Sequence, residues 1–79
     1  MIKTTVNLND ISKLKGFVEE ISKIDADFDA IRGRYVIDAK SIMGMMSLDL
    51  SKPVEITVHF KLNDESELEK IEDILNRYH

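Results

Sequence analysis

The sequence predicts an α+β open-faced sandwich, a four-stranded, mostly antiparallel sheet with three helices on one side in the order βαββαβα. Two period-2 stretches come first: Ile2, Thr4, Val6 and Leu8 alternate with Lys3, Thr5 and Asn7, and Val54, Ile56, Val58 and Phe60 alternate with Glu55, Thr57 and His59. That period belongs to strands with one buried and one wet face. Two stretches of helical spacing follow, Ile11, Leu14, Phe17, Val18, Ile21 and Ile24 near the start and Leu68, Ile71, Ile74, Leu75 and Tyr78 at the end. A sheet that is dry on one side only needs its helices on that side.

Each element has its own punctuation. Asn9 or Asp10 caps the first helix, where a carboxylate also suits the helix dipole. Gly16 inside it costs about 1 kcal/mol relative to Ala, so it either admits close packing or exposes backbone. Phe28 and Ala30, a turn at Arg32-Gly33-Arg34, and Tyr35, Ile37 and Ala39 alternating with Val36, Asp38 and Lys40 read as a hairpin. A short helix opens at Ser41. Pro53 introduces the strand that places His59 on the exposed sheet face, with no acid, base or nucleophile evident around it. Asp64, Glu65 and Ser66 start the last helix with its acids at the positive end of the dipole.

Composition narrows the function classes. Seventy-nine residues with one proline and three glycines describe a single domain, 1–79, without a linker. No cysteine means no disulfide and no thiol chemistry, and a cytoplasmic protein is expected. There is no basic segment followed by an apolar run, and no apolar stretch of about 20 residues to span a bilayer. A net charge of −4 with eleven scattered basic residues argues against nucleic acid as partner. Two distant histidines and no cysteine make neither a metal site nor a cofactor site, and nothing resembles the cluster of groups an enzyme needs.

The run with the most chemical content is Lys40-Ser41-Ile42-Met43-Gly44-Met45-Met46-Ser47-Leu48, which holds three of the four methionines. Ser41 suits a helix N-cap, and the residues after it are too apolar for an ordinary exposed helix. On residue types alone, two readings stand. Either Ser41 is only a cap and the methionines only fill core, or part of that face waits for a partner and a phosphate on Ser41 changes its electrostatics.

This run resembles the Lys-Ser-Ile-Met-Gly-Val-Met-Ser-Leu signature of the HPr family, the histidine-containing phosphocarriers of the bacterial sugar phosphotransferase system. Met45 alone departs from it, standing where the family has Val. The resemblance implies an HPr-like fold, a regulatory phosphoserine at Ser41 and a hydrophobic docking patch at Ile42, Met43 and Met46. The family's phosphorylatable histidine sits in a His-Ala-Arg-Pro motif opening the first helix. Here that stretch reads Asn9-Asp10-Ile11-Ser12-Lys13, with Asp10 at the histidine position, and the only histidines are His59 and His79.

Asp10 does not replace an imidazole simply. A carboxylate can form an acyl phosphate, but such chemistry is normally supported by a metal and further polar groups, and none is evident near Asp10. Asp10 is an N-cap, or alternatively a weak imitation of a permanently phosphorylated carrier. The expectation is therefore a non-enzymatic regulatory protein similar to the catabolite-repression branch of the family, without phosphohistidine carrier activity. The implied partners are proteins: an HPr kinase/phosphorylase acting on Ser41, and a transcriptional regulator or metabolic enzyme docking on Ile42, Met43 and Met46. The alternatives are a phosphocarrier for sugar transport with a non-standard site, or a structural module that dimerises through its Met-rich face.

Overall fold

The computed structural model describes residues 1–60 and 65–79, so the expected role of Asp64 lies outside the described residues. The elements follow in the expected order: β1 (Ile2–Val6), α1 (Ile11–Ser22), β2 (Ala26–Arg32), β3 (Tyr35–Asp38), α2 (Ile42–Met46), β4 (Val54–Phe60) and α3 (Glu65–Tyr78). The sheet runs β1-β4-β2-β3. All three pairings are antiparallel, so the sheet is antiparallel throughout rather than mostly so.

Register places the apolar residues of the four strands on one face, Ile31 and Val36 excepted. Val58 pairs with Ile2 and Phe28, and Ile56 with Thr4 and Ala30. Val6, Phe28, Ala30, Val54, Ile56 and Val58 are all at most 1 % exposed, sealed by Leu14, Phe17 and Ile21 of α1 and by Ile71, Ile74 and Leu75 of α3. Each fully buried Val, Leu, Ile or Phe side chain contributes about 1.5–3 kcal/mol relative to exposure. The hairpin between β2 and β3 closes with Arg32 opposite Tyr35, leaving a two-residue turn. Gly33 has φ +60 and Arg34 does not have positive φ, the arrangement of a type II′ turn whose twist matches the strands.

Several residues sit where periodicity did not put them. β1 ends at Val6, although Leu8 beyond it is still buried. Ile24 is buried beyond the end of α1, which closes at Lys23. Ile11 is 49 % exposed, because Leu14 and Phe17 take the sheet contact and the first turn of α1 overhangs a cleft. Tyr35, in the same phase of the alternation as the buried Ala39, is 70 % exposed at the edge strand. Thr57, expected on the wet face, is only 4 % exposed, since it lies in the central part of the sheet with Lys3 and Asp29 opposite it on either side.

The two long helices are locked together at the end of the chain. The Tyr78 ring meets Phe17 edge-on at 5.3 Å, and its hydroxyl donates to Glu20 Oε2 at 3.0 Å. Arg77 Nη2 donates to Glu20 Oε1 at 2.6 Å. The Asn7 N–H donates to the Tyr78 carbonyl at 2.6 Å, joining α3 to the segment after β1. Gly16 is there for close packing: a Cβ at that position would come within 2.7 Å of the Tyr78 hydroxyl oxygen.

The Arg77 hydrogen bond, reinforced by Tyr78, holds the Glu20 carboxyl below its usual value of 4.5. A carboxylate whose pKa is lowered by folding adds stability that is present in full above its unfolded pKa and is lost as pH falls through the folded value. We therefore expect stability to fall with acidification below about pH 4.5. Urea titrations of Glu20→Gln should show a smaller loss over that interval than those of the parent protein.

Candidate functional site

The short helix α2 is built from local devices. Ser41, in extended backbone at φ −89 and ψ 107, accepts the Gly44 N–H on its Oγ at 3.2 Å, and its carbonyl accepts the Met45 N–H at 2.9 Å. At the other end the Ser47 hydroxyl and N–H both donate to the Gly44 carbonyl, at 2.6 and 3.1 Å. These bonds satisfy termini that so short a helix would otherwise leave to water. Gly44 is required by contact: a Cβ would stand 2.8 Å from Ile37 Cγ2 of β3 and 3.2 Å from Ser41 Oγ.

Side-chain exposure along α2 divides by position. Met45 is completely buried and anchors the helix to the core. Ile42 is half-buried and packs against the same core. Met43 is 81 % and Met46 55 % exposed. The Val-to-Met departure from the signature therefore falls inside the core, while the expected docking residues present two exposed thioethers and one partly covered isoleucine.

Ser41 itself is exposed. Its neighbouring charges are committed elsewhere: Lys40 Nζ donates to the Ile24 carbonyl at 2.7 Å and lies 5.9 Å from the centre of the Phe28 ring. Asp38 takes the Lys40 N–H on Oδ1 at 3.0 Å and the Ser41 N–H on its carbonyl at 3.0 Å. Among the described residues no charged side chain hydrogen-bonds to the Ser41 hydroxyl.

Asp10 caps α1, with Oδ1 accepting the Lys13 N–H at 3.1 Å and φ −141, ψ 152. It borders a shallow cleft of about 260 Å³, with Leu8, Ile11 and Leu14 on its own side and Met46 and Leu50 opposite. The structure thus brings Asp10 and Met46 to one cleft, and Ser41 stands at the far end of a helix only about 8 Å long. The loop after α2 is held by Arg32, whose Nη2 donates to the carbonyls of Asp49 at 2.8 Å and Lys52 at 3.1 Å. Ile11 falls on the apolar stripe of α1 and Arg32 beside a turn, and neither position by itself points to this cleft or to the loop after α2. For Ile11 the added signal is its place directly after the cap, before the stripe reaches the sheet.

No group of three or more metal-ligating side chains occurs among the described residues. His59 stands on the wet face as expected but has a neighbour, Asp29 Oδ2, 3.3 Å from its Nε2, so the expectation of no acid around it is corrected. The pairing is made by register, since Asp29 lies opposite Thr57, two residues from His59. Both side chains are substantially solvated, and such exposed pairs contribute little.

A model of the family described as PTS HPr component phosphorylation site matches residues 13–77. The chain belongs to the HPr family. The crystal structure of phosphocarrier protein HPr from Bacillus anthracis str. Ames is similar with a TM-score of 0.74 at 24 % identity, over 99 % of this chain and 94 % of that one. That of HPr-C-His from Thermoanaerobacter tengcongensis gives 0.72 at 23 % identity, over 96 % and 92 %. At such identities the two structures speak for the HPr fold alone. The family match begins past Asp10 and includes the whole Ser41 helix.

Gly44→Ala tests how tightly α2 is seated. The clash with Ile37 costs about 1–3 kcal/mol and the gain in helix propensity returns about 1. We expect a net loss of about 1 kcal/mol in urea unfolding, with shifted NMR resonances confined to α2 and Ile37.

Proposed function

We propose that this HPr-family protein is a regulatory member without phosphohistidine carrier activity, which docks on protein partners through the Ser41 helix and is controlled by phosphorylation of Ser41. The observation that carries this reading is α2 itself: an exposed serine cap beside two exposed methionines, on a helix whose Met45 and Gly44 fix it rigidly to the core. The opening of α1 supports the negative half. Its cap is the carboxylate of Asp10, and no histidine precedes His59 in the chain.

The physical effect of the modification follows from the surroundings of Ser41. A kinase would join the Ser41 oxygen to the γ-phosphoryl group of ATP, with ADP leaving and the hydroxyl proton lost to solvent. The product carries about −1.5 to −2 charge and three acceptor oxygens. Ile42 and Met43 have backbone N–H groups with no acceptor among the described residues, and these can donate to it. Lys40, the lysine next to Ser41 in sequence, is occupied at the Ile24 carbonyl. The charge of the phosphate is then read by Arg or Lys of a partner, with Met43, Met46 and part of Ile42 supplying the apolar contact.

The implied partners are an HPr kinase/phosphorylase and, downstream, a transcriptional regulator or metabolic enzyme in carbon catabolite repression. Asp10 serves as cap and cleft wall. No helix among the described residues is long and apolar enough to cross a membrane. This agrees with a cytoplasmic site of action.

The test is incubation with ATP and an HPr kinase from the same organism, followed by peptide mass mapping. One phosphate on Ser41 is expected, and none on Ser41→Ala, which should remain folded at a capping cost of about 0.5–2 kcal/mol. Phosphate on another residue of the variant, or transfer from phosphorylated enzyme I to the parent protein, would overturn the proposal. Met46→Lys should weaken capture of the phosphorylated protein by its regulator without changing the phosphorylation itself.

A further inference from the structure

β3 is an outer strand of the sheet, with β2 on one side and, among the described residues, no strand on the other. Parity along the hairpin shows which of its backbone groups are unused. Ala39 donates its N–H to the Phe28 carbonyl at 2.8 Å, and Arg32 opposite Tyr35 closes the two-residue turn. In an antiparallel pair, hydrogen-bonded and non-bonded positions alternate. Tyr35, Ile37 and Ala39 therefore bond to β2, and Val36 turns its N–H and C=O toward the open edge together with the N–H of Asp38.

The side chains of this edge are also largely unspent, although Asp38 Oδ1 accepts the Lys40 N–H at 3.0 Å and leaves only Oδ2 for a further partner. Val36 is 63 % exposed and sits on the wet face beside Ile31, its register partner on β2. Tyr35 is 70 % exposed on the other face. Arg34 makes no hydrogen bond or ion pair with the described residues. Edge strands are commonly blunted by charge, and here the flanking charges are of opposite sign, Arg34 before the strand and Asp38 at its end.

That order of charges is self-complementary. We propose that β3 pairs antiparallel with β3 of a second copy about a two-fold axis through Val36, joining two four-stranded sheets into one. In this register Val36 faces Val36 of the second copy and exchanges two backbone hydrogen bonds with it. Arg34 faces Asp38 of the second copy, and Asp38 faces Arg34, so both charge pairs form at once. Tyr35 lies opposite Ile37 of the second copy on the helix side, and Ile31, Val36 and their symmetry mates form one apolar stripe on the other. A shift of one residue would abolish the charge pairing and turn the faces over. The contact is isologous and closes at two copies. Its short length makes it a weak dimer, below the area of stable interfaces.

The surface is separate from Met43 and Met46, so its test does not depend on the proposed function. Sedimentation equilibrium of the unmodified protein from micromolar to millimolar concentration should show the mass rising from 9.1 kDa toward twice that value. Arg34→Asp should weaken association about tenfold or more by placing like charges opposite one another. The double change Arg34→Asp with Asp38→Arg should restore it. Val36→Pro should abolish it while leaving the fold intact, since the Val36 N–H serves no bond within the sheet. A mass that stays at 9.1 kDa throughout, or a dimer indifferent to Val36→Pro and to the charge reversal, would overturn the proposal.

Discussion

The one-sided burial of β4 is the constraint on which the rest of this structure depends. Val54, Ile56 and Val58 are fully buried on one face, and the same strand is bonded to β1 and to β2. Because its dry face must be covered, α1 and α3 have to lie side by side over the sheet, and their meeting explains Gly16 and the Tyr78–Glu20–Arg77 group. The remaining helix, α2, has no room over the middle of the sheet. It sits against β3 and the first turns of α1, where half of its apolar residues stay in water.

That placement gives α2 its character. A five-residue helix has almost no intrinsic stability, since helix formation carries a nucleation cost that short segments do not recover. Here the caps at Ser41 and Ser47, the contact of Gly44 with Ile37 and the burial of Met45 supply what length does not. The outcome is a short helix seated on the core by its caps, by Gly44 and by Met45, with the long, unbranched side chains of Met43 and Met46 left exposed.

The strand and helix periods made the architecture legible, and residue type pointed to Ser41 as one cap but left Asn9 and Asp10 open as the other, which the structure resolves to Asp10. What periodicity could not show is where a covered face ends. Ile11 belongs to the apolar stripe of α1 but lies beyond its cover, and Tyr35 keeps the inward phase of β3 at an edge with nothing above it. Thr57 errs in the opposite sense, a polar residue on the wet face hidden by its cross-strand neighbours, its hydroxyl without a partner among the described residues. Within the signature run, spacing did not distinguish Met45 from Met46, because a helix of little more than one turn has no repeat to read. The cleft joining Asp10 to Met46 and the Arg32 clamp on the following loop depend on contacts between residues far apart in sequence.

The strand order has a consequence for how the molecule comes into being. β1 and β2 both bond to a strand that is synthesised after them, so the first half of the chain can form α1 and the β2–β3 hairpin but cannot close its sheet. Until residues 54–60 emerge, the apolar sides of β1 and β2 have a gap between them. Insertion of β4 then completes two ladders in one event, pairing residues as distant as Ile2 and Val58. Such nonlocal closure makes folding slower than in a helical bundle of this size and ties the order of both halves to a single step.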